Sequence, residues 1–251
     1  MVRLINHEFG GWMMFFSAKN VLVVVAHPDD EAFGCGGTIL KHVQAGAEVR
    51  LIALADGVTS RVYRHGVSRE SEIKKYSKLI LKRKRELFRS AAILGIKRKN
   101  CYALGLADQR LDSISLLDIV KEIERIVAGT DPDIIYTHHW GDINRDHRVC
   151  CEAVLTAFRP SKEPVKKRAV FCFEIPGNMD CLPPIEINKF KPDNVVNISS
   201  YIQSKKAAIR TYKEELKEFP SPLSLRAVVD NCRQRGKENK YGYAEAFARL
   251  Q

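Results

Sequence analysis

Apolar positions along this chain alternate between short unbroken runs and longer stretches in which they recur every three or four residues, a pattern that predicts strands and helices in turn. Val21 to Ala26 is a largely β-branched run of strand length, as expected of a strand covered on both faces of a parallel sheet. After polar residues 27 to 31, Gly36 to Ala45 has helical spacing through Ile39, Leu40 and Val43 and stops at Gly46, a natural helix end. Glu48 to Ala55 follows as a second strand, so this segment reads as a βαβ unit with a right-handed crossover. From Arg69 to Leu94, residues Ile73, Tyr76, Leu79, Ile80, Leu87, Ala91 and Leu94 mark one side of a long helix closed by Gly95. Strands are expected at Asn100 to Leu104 and Asp133 to Thr137, around a helix from Ser115 to Ala128. Beyond them the pattern predicts a helix over Arg148 to Phe158, an extended stretch over Arg168 to Glu174, a short strand over Val195 to Ile198 and a helix over Ser200 to Leu216. An amphipathic tail ends in Ala244-Glu245-Ala246-Phe247.

The expected fold class is therefore α/β: a mostly parallel, Rossmann-like sheet with helices on both faces and a smaller C-terminal elaboration. A length of 251 residues suits one domain, with a core over about 20 to 160 and the elaboration over about 160 to 251. No internal repeat appears. The densest Pro and Gly loops are 159 to 164, 176 to 184 and 219 to 222.

Composition changes this picture in three places. No apolar run approaches the roughly 20 residues needed to cross a bilayer. Residues 11 to 16 are apolar but too short for a signal-peptide core, which leads to an expected cytoplasmic location. The seven cysteines (35, 101, 150, 151, 172, 181, 232) are odd in number and contain no Cys-x-x-Cys pair, so they read as reduced packing residues. The net charge of +11 matches that of residues 61 to 100 alone, which hold 14 basic and 3 acidic residues. Such a segment is either a solvated helix face or a field that draws in an anionic substrate, membrane surface or nucleic acid.

In an open parallel sheet, ligands bind beyond the carboxyl ends of the strands, and two polar clusters fall there. His27-Pro28-Asp29-Asp30-Glu31 follows the first strand, and His138 to His147 follows the strand at 133 to 137, so both can meet at one crevice. Pro and acidic residues opening a helix explain the acids of the first cluster without invoking a ligand. They do not explain His27, and three crowded carboxylates beside an imidazole invite a divalent cation. Loop-forming tendencies account for the Asp and Asn of the second cluster, though three histidines and two aspartates in ten residues strain that account. A catalytic zinc needs three N or O ligands and one open position, a set that His27, Asp30 and His147 supply.

Ala26-His-Pro-Asp-Asp-Glu31 with a distant Asp146-His147-Arg148 resembles the PIG-L/LmbE-like family of zinc N-deacetylases. Supporting stretches are Arg85-Glu86 before Ala92 and Leu94-Gly95, Leu104 to Asp108, and Asp142-x-Asn-x-Asp-His147, which together span about residues 20 to 160. Lys205, Tyr212 and Ala244 to Phe247 match more loosely. The resemblance implies one zinc per chain held by His27, Asp30 and His147, with Asp29 as general base. Zinc would lower the pKa of bound water to roughly 7 and polarise the acetyl carbonyl while Asp29 takes the proton and returns it to the leaving amine. Where many members carry a His three residues before the last ligand, this chain has Asn144. The oxyanion therefore falls to Asn144 as a neutral donor, or to His138 or His139. Asp146 would orient a neighbouring polar group. Arg61, Arg85, Asp108 and His139 are the expected substrate contacts, each also readable as a structural pairing.

The implied activity is removal of acetyl from an N-acetylglucosamine-type sugar on a carrier, with a homo-oligomer a common state for enzymes of this size. A phosphate-bearing carrier would suit the local positive charge. Two other classes compete with this reading. Gly34-Cys-Gly-Gly37 could open a dinucleotide site, but Asp29, Asp30 and Glu31 put negative charge where a pyrophosphate needs positive potential, and the glycines more simply allow close helix packing. A nucleic-acid module acting through residues 69 to 94 would leave both His/Asp clusters unexplained, so no nucleic-acid partner is expected. Within the enzyme class, the alternative is a zinc amidase acting on another acylated amine.

Overall fold

The computed structural model describes residues 17–62, 69–160, 168–178 and 189–251, with side chains omitted for 62 and 69–75. The apolar stretch 11 to 16, Cys181, most of the loops at 159 to 164 and 176 to 184, and the side chain of Ile73 lie outside the described residues. In chain order the elements are β1 (Asn20–Val25), α1 (Asp30–Gln44), β2 (Glu48–Ala55), α2 (Arg69–Ile93), β3 (Cys101–Leu106), α3 (Leu116–Val127), β4 (Ile134–His138), α4 (Arg145–Ala157), β5 (Ala169–Phe173), β6 (Asn194–Asn197), α5 (Ile202–Ile209), α6 (Leu225–Glu238) and β7 (Ala244–Arg249).

The strands form one sheet in the order β3-β2-β1-β4-β5-β7-β6. β3, β2, β1, β4 and β5 are mutually parallel, whereas β7 runs antiparallel to both β5 and β6. Alternation along β1 divides the core into two layers. Val21, Val23 and Val25 face α1, α2, α5 and α6 through Ile39, Leu87, Ile209 and Val228, while Leu22, Val24 and Ala26 face α3 and α4 through Ile123 and Val154. Chain order reverses between β1 and β4, and there the two polar clusters emerge side by side.

Four expectations need correction. α1 opens at Asp30 rather than Gly36, and α4 at Arg145 rather than Arg148, because first turns that open on charged residues carry no apolar periodicity to mark them. The helix expected over 200 to 216 closes at Ile209: Thr211 turns its hydroxyl back on Ala208 O at 2.8 Å, and Tyr212 swings into the core. The amphipathic tail is a helix followed by a strand, so the region beyond residue 160 supplies three strands of the main sheet. The glycines after the first cluster do serve close packing. A Cβ on Gly34 would sit 2.2 Å from the Phe173 ring and one on Gly37 2.7 Å from Ile198.

Candidate active site

The turn after β1 is tight and strained. Asp29 stands before α1 with φ 126°, a region L side chains rarely enter, and its carboxylate caps no helical N–H. Asp30 Oδ2 instead accepts the His27 N–H at 2.8 Å and closes the turn. Glu31 is fully buried and pinned: Oε1 accepts Ser90 Oγ–H and Tyr212 O–H, both at 2.6 Å, and Oε2 accepts the Asp29 N–H at 3.1 Å. Burial pushes the Glu31 carboxyl up, and these donors pull it back.

The loop after β4 is organised mostly by its own side chains. Asp142 accepts the Asn144 N–H at 2.8 Å and lies 2.9 Å from His147 Nδ1. Asn144 caps α4 by accepting the Asp146 N–H at 3.0 Å, which leaves the donor end of its amide available at the cleft it lines. Asp146 reaches outward and accepts the N–H groups of Gln109 at 2.8 Å and Leu111 at 3.1 Å. His138 Nε2 accepts the Ala26 N–H at 2.9 Å, tying the end of β4 to the end of β1. Burial pushes both His138 and His139 down to about 4, so these rings stay neutral at ordinary pH.

The two clusters converge. Ligand atoms of His27, Asp30 and His147 lie within 4.8 Å of one another, and all three residues are buried. Asp30 stands between the imidazoles, its Oδ2 3.3 Å from His27 Nδ1 and its Oδ1 3.5 Å from His147 Nε2. Each ring has a carboxylate behind its other nitrogen: Asp142 behind His147 Nδ1, and Asp108 at 3.1 Å and Asp146 at 3.2 Å behind His27 Nε2. A metal-ligating imidazole needs this arrangement, with the distal N–H bonded to a carboxylate and the proximal lone pair free. Burial opposes a charge on His27, but the three carboxylates around it outweigh burial and hold its pKa well above the usual value. Burial likewise opposes the charge on Asp30, which the histidines nevertheless keep ionised. Surroundings that attract a proton to this point attract a divalent cation equally well. Two further groupings, His138/Asp142/His147 and His27/Asp108/Asp146, share a histidine with the first, and their carboxylates are already engaged as supports.

This triad floors an open, solvent-filled cleft. Asp29, Arg61, Asp108 and Asn144 also line it. Arg61 Nη1 donates to Glu215 Oε1 at 2.8 Å and Nη2 pairs with the other oxygen, so the guanidinium is held bidentately. Arg85 is exposed on α2 and His139 is buried behind its loop, and neither lines the cleft. Arg83, two residues before Arg85, turns inward: Nη1 is 3.4 Å from Pro28 O and 3.6 Å from Asp29 Oδ2, and Nη2 also pairs with Glu215. Helical spacing could have distinguished them, since Arg83 shares a face with Leu79, Ile80, Leu87 and Ser90. Asp142 stood inside the second motif without a role, and nothing local marked Glu215 or Asn178, whose Nδ2 donates to Asp142 Oδ1 at 2.9 Å.

Fold and site together define an α/β enzyme with a His–Asp–His centre at a topological switch point. A family model described as "PIG-L: GlcNAc-PI de-N-acetylase" matches residues 22–158, and the chain belongs to this family of deacetylase enzymes. It is 30% identical over 249 residues to a diacetylchitobiose deacetylase of Thermococcus kodakarensis, covering 93% of this chain and 84% of that one. A 4-oxalmesaconate hydratase of Pseudomonas putida is 25% identical over 232 residues, 87% of this chain and 83% of the relative. Among solved structures, N,N'-diacetylchitobiose deacetylase from Pyrococcus horikoshii shares the fold with a TM-score of 0.74 at 21% identity, covering 94% of this chain and 85% of its own.

Proposed function

We propose that this chain, acting as one deacetylase domain over residues 1–251, removes the acetyl group from an N-acetylated amino sugar of the N-acetylglucosamine type. His27, Asp30 and His147 would hold a single zinc ion. The observation that carries the reading is the pair of imidazoles turned onto Asp30 with carboxylates behind them. When bound, zinc supplies the Lewis acidity that activates water and polarises an acyl oxygen. Asp29 lines the cleft beside the triad and would take a proton from the attacking water and pass it to the leaving nitrogen. Asn144 offers a neutral N–H donor to the developing oxyanion. Asp146 holds the His27 ring and the 109–111 backbone in register.

We assign sugar contacts to Arg61 and Asp108, which line the cleft, and not to Arg85 or His139. The named relatives make a terminal N-acetylglucosamine the first substrate to test. The six described cysteines, buried and unpaired, support a reducing, cytoplasmic setting.

The direct experiment is acetate release from a panel of N-acetylated sugars with and without chelator. Release that chelation stops and zinc restores is the expected result. A hydratase reading follows from the Pseudomonas putida relative, and consumption of an unsaturated acid with no acetate formed from any sugar would replace deacetylation by hydration.

A further inference from the structure

α1, whose first residue is the proposed ligand Asp30, does not run unbroken: Cys35 leaves helical geometry at φ −137° and ψ 20°. Only Asp30 to Gly34 lie before the break, too short a helical segment to hold its own shape. In a continuous helix the Gly37 N–H would bond Phe33 O, and the Thr38 N–H would bond Gly34 O. Here the Gly37 N–H donates to Glu245 Oε1 at 2.9 Å and the Thr38 N–H to Glu245 Oε2 at 2.7 Å, joined by Thr38 Oγ1–H at 2.6 Å. Phe33 O accepts instead from Lys205 Nζ at 2.8 Å, and Lys205 Nζ pairs with Glu245 Oε1 at 2.5 Å. Both side chains are buried, with Lys205 1% and Glu245 3% exposed, and neither lines the cleft.

We infer that Lys205 of α5 and Glu245 of β7 are positioning residues for the metal site. They splint the break in α1 and so set where Asp30 and the preceding turn stand. The carboxylate takes N–H groups at the start of the second helical segment and the ammonium takes a carbonyl at the end of the first, so the pair spans the break. A buried ion pair is weak support for stability alone, because an apolar pair of similar volume often serves as well. Geometry at the break gives this one a task that an apolar pair cannot perform. Phe33, whose carbonyl Lys205 holds, itself lines the cleft, so a shift in this short segment passes directly to the site.

This inference rests on the zinc reading above, and its test is metal affinity rather than turnover. Zinc dissociation constants are measured by chelator competition for wild type, Lys205→Met, Glu245→Gln and Lys205→Arg, at a temperature where near-ultraviolet circular dichroism reports each as folded. Loss of affinity of about 10–100-fold is expected for Lys205→Met and Glu245→Gln, the range seen when supports of a metal ligand are removed. Lys205→Arg keeps a cationic donor and should recover most of that loss. The double variant should be no weaker than the worse single one, because the pair acts as a unit. Lower thermal stability with zinc affinity unchanged within about twofold in both single variants would overturn the inference and leave the zinc reading intact. Wild type that takes up no zinc would overturn that reading, and the positioning role with it. Glu245→Gln, nearly isosteric, keeps the test available if Lys205→Met does not fold.

Discussion

The turn after β1 and the loop after β4 meet over one cleft, yet they are held in opposite ways. Asp142, Asn144 and His147 brace one another within six residues, and Asn178 is the main outside help. Residues 27 to 31 close two short local bonds but otherwise depend on distant groups: Ser90 and Tyr212 grip Glu31, Arg83 approaches Pro28 and Asp29, and Asp108 and Asp146 stand behind His27. A self-braced loop can be read from its own sequence. One braced from outside can be read only for what it presents, not for what keeps it in place.

The strongest way to break this comparison is to remove one chemical group from each loop. His147→Ala should abolish zinc uptake and acetate release together, whereas Asp29→Asn should retain zinc and lower kcat by about 10²–10⁴-fold, as expected for loss of a general base. Metal analysis alongside single-turnover acetate release separates the two. Next in size is the self-bracing of the second loop: Asp142→Ala should weaken zinc binding by about 10–100-fold with the fold retained, measured by chelator competition. For the first loop, Tyr212→Phe withdraws one donor from buried Glu31 and should cost about 1–3 kcal/mol of stability in urea titration.

The smallest change is a titration. In chelator-treated protein, burial holds His42, His138 and His139 at about 4 against an ordinary 6.5. Folded-state pKa values below the unfolded ones mean that their contribution to stability is complete above about 6.5 and is lost as pH falls toward 4. His27 is raised and works in the opposite sense, favouring the folded state as pH falls. Ring NMR of the chelator-treated protein should therefore find the His42, His138 and His139 imidazoles unprotonated at pH 5.5, and protonation at or above that pH would contradict their neutral burial.

Much of the parallel half of the sheet was legible because Val21 to Val25 and Ile134 to Tyr136 are apolar on both faces, which only a covered strand tolerates. The meeting of His27 and Asp30 with His147 was legible too, since each cluster directly follows such a strand. The starts of α1 and α4 were not, because Asp30 and Arg145 open these helices with polar turns, whereas the starts of α2 at Arg69 and of α3 after Ser115 were. β7 was missed as a strand because its Ala-Glu-Ala start resembles a helix former, and Glu245 finds its partners 40 and 208 residues away. Arg85, the expected contact, is exposed, and Arg83 of the same basic run lies on the inward face of α2.

The central claim is tested most directly by a crystal structure of the zinc-loaded protein with anomalous diffraction at the zinc edge. One peak about 2.0–2.2 Å from His27 Nδ1, an Asp30 oxygen and His147 Nε2 is the predicted result. A peak held instead between Asp108 and Asp146, with His147 turned away from it, would contradict the account.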